Sequence, residues 1–230
     1  MTSEKFSLYP QFETVGDRTI VCLDSSLQPA LDLLRKMNSA EIIAKADEIR
    51  HPERQREWIL SRMLMREIAG YIPDKGEHGE LIWRDEHAGS LTHKKGHVAL
   101  AWRAVASKSD DPGIDLESVR DLEDDLQLKV ATFAEVDVGS QIGRGWSTAV
   151  FSAKEAIFKC LFRTVGYRFY YEAAELLDVN YAGGHGIMMF SMTRHLSERV
   201  PQHSKVRVDF KKIRLGADEF WLTSARRGVL

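Results

Sequence analysis

Gly113-Ile114-Asp115-Leu116-Glu117, followed about forty residues later by Phe151-Ser152-Ala153-Lys154-Glu155-Ala156-Ile157-Phe158-Lys159, decides how this chain is read. The first segment alternates apolar and acidic residues with a period of two, the pattern of a strand with one buried face. Residues two apart in a strand point the same way, so Asp115 and Glu117 put their carboxylates on one face, roughly 6–7 Å apart by strand rise. The second segment places Lys154, Glu155 and Lys159 on one helix, with Glu155 and Lys159 stacked one turn apart. Hard carboxylate oxygens suit magnesium, and together the two segments can hold a metal and a phosphate. Each also has a plainer reading. An alternating strand is commonly a half-buried edge whose acids face water, and Ser152-x-x-Glu155 before an apolar run satisfies the capping box. Lys159 is then an ordinary helix-face partner of Glu155.

Working outward, 230 residues with 43% hydrophobic content can bury a sizeable core, as one domain or as two small lobes. With 32 basic against 34 acidic residues the net charge is −2. No global field recruits nucleic acid or an anionic membrane, so any phosphate site is local. The start of the chain, Met1-Thr2-Ser3-Glu4-Lys5-Phe6-Ser7, lacks a basic stretch followed by an apolar one, and no later apolar run has the length of a spanning helix. A cytoplasmic protein is expected. Cys22 and Cys160 make no disulfide framework and no Cys-x-x-Cys, and both read as reduced, buried thiols.

Helical spacing predicts short helices over Pro29–Met37 and Ala40–Ile49, and a stronger one after His51-Pro52, with Leu60, Leu64 and Ile68 as its apolar stripe and Gly70 at its C-terminus. On that helix Arg54, Trp58, Arg62 and Arg66 recur every four residues, either a solvated basic face or an anion-binding edge. Val98–Trp102 reads as a strand. Ser107–Gly113 is a turn-rich break near the midpoint and the candidate lobe boundary. Beyond it come the Ile114–Glu117 strand, a mixed region from Val119 to Trp146, and a helix from about Ala153 to Thr164. Gly183-Gly184-His185-Gly186 is a loop, and Ile187–Met192, Lys205–Ile213 and Glu219–Ser224 are strands of a meander. Without a regular βαβ alternation or an internal sequence repeat, the class is α+β.

The stretch Gly79-Glu80-Leu81-Ile82-Trp83-Arg84 through Gly89-Ser90-Leu91-Thr92-His93 is the third informative segment. His93 and His97 stand four apart, but Gly96 and the following strand argue against a helical metal pair, and Ser90 lacks the Gly-x-Ser-x-Gly setting of a nucleophile. A hydroxyl and an imidazole beside a glycine turn can bind a phosphate or cap a strand end.

Taken in order, Arg54-Gln55-Arg56-Glu57-Trp58-Ile59-Leu60-Ser61-Arg62, Gly89-Ser90-Leu91-Thr92-His93, Gly113-Ile114-Asp115-Leu116-Glu117 and Phe151-Ser152-Ala153-Lys154-Glu155-Ala156 through Lys159 resemble the 4'-phosphopantetheinyl transferases, in particular the enterobactin-synthase-type subgroup. The resemblance covers about half the chain, from Arg54 to Lys159. It implies a monomer of two similar α+β lobes, residues 1–108 and 109–230, related by a pseudo-twofold, with coenzyme A in the cleft between them. By motif position Asp115, Glu117 and Glu155 look like ligands of a magnesium ion that bridges the coenzyme A pyrophosphate. Lys159 and Lys154 would neutralise that phosphate or protonate the leaving group. Arg54, Arg62, Thr92 and His93 fall where the family grips the nucleotide end with its 3'-phosphate.

The implied reaction moves the 4'-phosphopantetheine arm of coenzyme A to a serine of an apo acyl or peptidyl carrier protein and releases adenosine 3',5'-bisphosphate, as in secondary-metabolite or siderophore biosynthesis. It needs charge neutralisation, in-line positioning and a base for the hydroxyl proton, with Glu155 or a water it orients as that base. The family usually carries prolines where this chain has Leu81 and Arg84, and serine is common where it has Thr92. Neither change removes a catalytic group. Two further functions compete: a catalytically silent homologue that binds coenzyme A or a carrier domain as a regulator or scaffold, and an unrelated magnesium-dependent phosphohydrolase, which the Arg54 and His93 matches disfavour.

Overall fold

The computed structural model describes residues 10–227 except 17, 37 and 105–110. A hairpin of β1 (Pro10–Val15) and β2 (Arg18–Leu23) precedes α1 (Leu31–Lys36), α2 (Ala40–Asp47) and α3 (Pro52–Ala69). The short strands β3 (Asp74–Lys75) and β4 (Leu81–Ile82) pair with each other, and β5 (His87–Lys94) and β6 (His97–Ala104) form a second hairpin. After β7 (Gly113–Ser118) come α4 (Asp124–Val130), α5 (Phe133–Gly139) and α6 (Trp146–Val165), then a meander of β8 (Ala174–Ala182), β9 (His185–Met192), β10 (Lys205–Leu215) and β11 (Asp218–Arg227). The larger sheets run β1-β2-β6-β5 and β7-β11-β10-β9-β8, antiparallel throughout. The class is α+β, as the lack of βαβ alternation indicates.

Among the described residues, three apolar clusters account for the packing. Leu34, Ile59, Leu60 and Leu64 of the first helices cover one face of the first sheet at Val21, Leu23, Val98 and Leu100. Val150, Ala153, Ile157 and Leu161 of α6 cover the second sheet at Met188, Phe190, Val208 and Trp221. The third cluster joins the sheets, with Ile20, Cys22, Ala99 and Ala101 meeting Ile114, Leu116, Ile213, Phe220 and Leu222. Ile114 and Leu116 therefore point into the seam, and period-two alternation turns Gly113, Asp115 and Glu117 to the α6 side. Gly113 has to be glycine: a Cβ there would lie 2.0 Å from the Ala156 carbonyl oxygen and 2.5 Å from the Cys160 nitrogen, so α6 rests directly on β7.

α3 begins at Pro52 and ends on Gly70, left-handed at φ 79, as its punctuation predicts. β6, β10 and β11 each outrun their predicted spans, because cross-strand pairing carries them to the turns at Lys94↔His97 and Leu215↔Asp218. The helix predicted from Ala153 is corrected. α6 starts seven residues earlier, at Trp146, where left-handed Gly145 donates to Asp121 Oδ1 and its carbonyl accepts from Trp221 Nε1, 2.9 and 2.8 Å away. Ser152 is thus mid-helix and fully buried, its hydroxyl 3.0 Å from that of Thr223, and the Ser152–Glu155 capping box does not form. The box lies instead at Thr132 and Glu135, opening α5. Met37 and most of the 107–113 break fall outside the described residues. Cys22 and Cys160 are buried free thiols, and burial pushes the Cys22 thiol up to about 12.

Candidate functional site

A cleft of about 580 Å³ opens between α3 and β5 on one side and α6 with Asp111 and Pro112 on the other. Trp58, Leu91, Phe158 and Phe162 give it apolar walls, and Arg54, Arg62, Lys75, His93, Lys159 and Arg163 bring cationic or imidazole groups. Of its acids, Glu80 accepts from the His78 amide at 3.0 Å, and the other two have charged or imidazole partners. Asp111 pairs with Arg163 at 2.8 Å, while Glu57 accepts from the Gly96 amide at 2.9 Å and holds His93 Nδ1 at 2.8 Å. Burial works against Glu57's charge, but the His93 and Gly96 bonds outweigh it and hold its carboxyl below the ordinary value.

The basic stripe divides along α3. Arg66 is exposed and Arg54 largely so, 4.0 Å from Glu57, whereas Arg62 is only 8% exposed and stacks on the Trp58 ring, 3.2 Å from its centroid. Lys75 reaches the same ring at 4.8 Å. No carboxylate pairs with Arg62 or Lys75 among the described residues. Desolvation lowers Arg62 to about 10, and burial, Arg62 and Lys45 together lower Lys75. Two repelling cations on one ring in a half-closed cleft make a place for an anion.

The acidic cluster lies along β7 and α6. Asp115, 6% exposed, accepts from Lys159 Nζ at 2.7 Å and Thr92 Oγ1 at 3.0 Å through Oδ1. Its Oδ2 is buried and meets no donor among the described residues. Glu117 is gripped by Lys94, and Glu155 accepts from the Tyr171 hydroxyl at 3.0 Å. Burial raises Glu117, which Lys94 opposes and the charge of Asp115 reinforces. Burial and Asp115 likewise raise Glu155 against Lys159 and Tyr171. Asp115 thus acts electrostatically on both other acids. A divalent cation would relieve this mutual repulsion and give the orphaned Oδ2 a partner, so the residues fit such an ion. As they stand, each acid is held by a different organic partner, and no three His, Cys, Asp or Glu side chains among the described residues close into a ready-made metal cage. A smaller cavity of about 200 Å³, lined by Glu155, Arg168, Tyr170 and Tyr171, lies against Phe158, which borders both spaces.

Arg54, Arg62, His93 and Lys159 share the main cleft; Thr92 and Lys154 do not line it. The Thr92 hydroxyl accepts from the Leu116 amide at 3.2 Å and that of Ser90 from the Ile114 amide at 3.0 Å, so both stitch the edge of β5 to the edge of β7. Lys154 is enclosed, its ammonium 2.7 Å from Glu135 Oε1 and 2.7 Å from the Val130 carbonyl, with side chains 2% and 1% exposed. Burial lowers Lys154, and Glu135 works against it. Glu57, Lys75, Lys94, Arg163 and Tyr171 escaped the sequence reading. Lys94 had a signal, since it follows His93 in a strand and must face the other way. Tyr171 had none. No family model and no curated protein matches this chain, and no helix among the described residues is long and apolar enough to cross a membrane.

Proposed function

We propose that this chain is a magnesium-dependent 4'-phosphopantetheinyl transferase of two α+β lobes, residues 1–108 and 109–230, related by a pseudo-twofold, acting on coenzyme A and an apo carrier protein. One observation carries this reading: Arg62 and Lys75, which have no carboxylate partner among the described residues, line the same cleft as Lys159, which is bonded to an aspartate at the heart of an acidic cluster. A cleft of this size suits a nucleotide. Arg54, Arg62, Lys75 and His93 receive the phosphate-bearing nucleotide end, and Trp58 and Phe162 supply apolar surface. Asp115, Glu117 and Glu155 would hold the ion, which when bound polarises the pyrophosphate oxygens. The carrier serine oxygen forms a bond to the nearer phosphorus as the bond to the bisphosphate oxygen breaks. The hydroxyl proton goes to Glu155 or to a water on it, and a raised carboxyl is the better base. Lys159 meets the charge that develops on the leaving phosphate.

The experiment is incubation with coenzyme A, magnesium and a panel of apo acyl and peptidyl carriers, followed by intact mass. A gain of one phosphopantetheine on a serine is the expected result; coenzyme A consumption without carrier modification would point to a phosphohydrolase. The second reading, a catalytically silent coenzyme A or carrier binder, is favoured by the organic partners already on all three acids. It is met if coenzyme A binds and no carrier gains mass.

A further inference from the structure

Lys94 ends β5 beside the two-residue turn Lys95-Gly96, where both residues have positive φ, 49° and 80°. Each residue of this tip has an acid: His93 meets Glu57, Lys94 meets Glu117, Lys95 reaches Asp218 at 2.7 Å, and the Gly96 amide returns to Glu57. Side-chain acids thus meet the tip on both sides of Lys94, and its ammonium sits at the end of a four-carbon stem. Its ammonium lies 2.8 Å from Glu117 Oε1 and 2.7 Å from Oε2, spanning the position that a cation chelated by this carboxylate would take. Glu117 is mostly buried, so the attraction is less screened than on an open surface. Close by, the buried Asp115 Oδ2 has no donor among the described residues.

We propose that Lys94 is a tethered counter-ion of Glu117, a positioning residue that a divalent ion must displace and that thereby sets the affinity of the acidic cluster for metal. The assignment rests on the reading of Asp115, Glu117 and Glu155 as a divalent-ion site. Metal entry exchanges the ammonium for the ion, and the freed lysine turns to solvent. Because His93 and Lys94 are consecutive and face opposite sides, the same hairpin touches the anion cleft and the acids.

The test is direct binding of Mn2+ by electron paramagnetic resonance and of Mg2+ by calorimetry, to the full chain without coenzyme A, for wild type, Lys94→Met, Lys94→Gln and Lys94→Arg. The Met and Gln variants are expected to bind either ion about five- to tenfold more tightly, as for removal of a competing charge in a partly buried pair. Lys94→Arg is expected to stay at or below wild-type affinity. Unchanged or weaker binding by the Met and Gln variants, with wild type binding normally, overturns the counter-ion role and leaves Lys94 a structural prop. Ion binding that survives Glu117→Gln unaltered, or none by wild type and variants alike, overturns the metal site itself and the Lys94 assignment with it.

Discussion

Lys154 shows how far one side chain can depart from what its place in a motif implies. Its ammonium is enclosed with Glu135, which also accepts the Leu176 amide at 2.7 Å and the Thr132 amide at 2.8 Å, so the pair ties α6 to α5 and β8. Lys154→Ala leaves that carboxylate buried without its charge partner and is expected to cost about 3–5 kcal/mol in urea unfolding. Coenzyme A affinity of the folded variant should be unchanged; a selective loss of affinity at full stability would return Lys154 to the phosphate. Glu155 behaves in the opposite sense. Its folded carboxyl is raised above the ordinary value of 4.5, so its contribution to stability is complete below that value and is lost as pH climbs through the raised folded one. In chelator, Glu155→Gln should therefore melt higher than wild type at about pH 7.5 and show no such gain at about pH 4. Equal melting temperatures at both would mean that Glu155 is not strained by its neighbours.

The contact of α6 with β7 brings the acids and Lys159 together. Lys159 bonds the Ile114 carbonyl at 3.1 Å as well as Asp115, so its position depends on how closely the helix lies on the strand. Gly113 sets that separation. Gly113→Ala drives a methyl into the helix backbone, and about 1–3 kcal/mol of destabilisation in chemical denaturation is expected for such overpacking. An unchanged midpoint would show that α6 can slide away freely. The early start of α6 has the same logic at the other end. Ser152 and Glu155 carry the local signature of a helix start, but the chain has already turned at Gly145, and the indole of Trp221, from a strand 76 positions away, fastens that turn.

For the molecule as a whole, the cleft joins residues from both halves, with Arg54, Arg62, Lys75 and His93 before the midpoint and Lys159 and Arg163 after it. If this is the nucleotide end of the site, Arg62→Ala or His93→Ala should weaken coenzyme A by about 1–3 kcal/mol, as for a lost charge-assisted hydrogen bond, and 3'-dephospho-coenzyme A much less. Isotherms with both ligands decide it, since an equal loss would detach these residues from the 3'-phosphate. The α+β class, the buried face of β7, the proline and glycine ends of α3 and three of the meander's four strands, β9, β10 and β11, were legible in the sequence, because each depends on neighbours within a turn or a pleat; β8 was not read there. Which hydroxyl would stitch β5 to β7, which lysine would be enclosed by Glu135 and which would hold Glu117 were not. Those outcomes depend on packing between segments 19 to 24 positions apart: Thr92 with Leu116, Lys154 with Glu135, Lys94 with Glu117. Local periodicity determined which face each of these side chains would occupy. Only the tertiary structure, through burial that makes an unpaired charge costly, decided which partner each would find there.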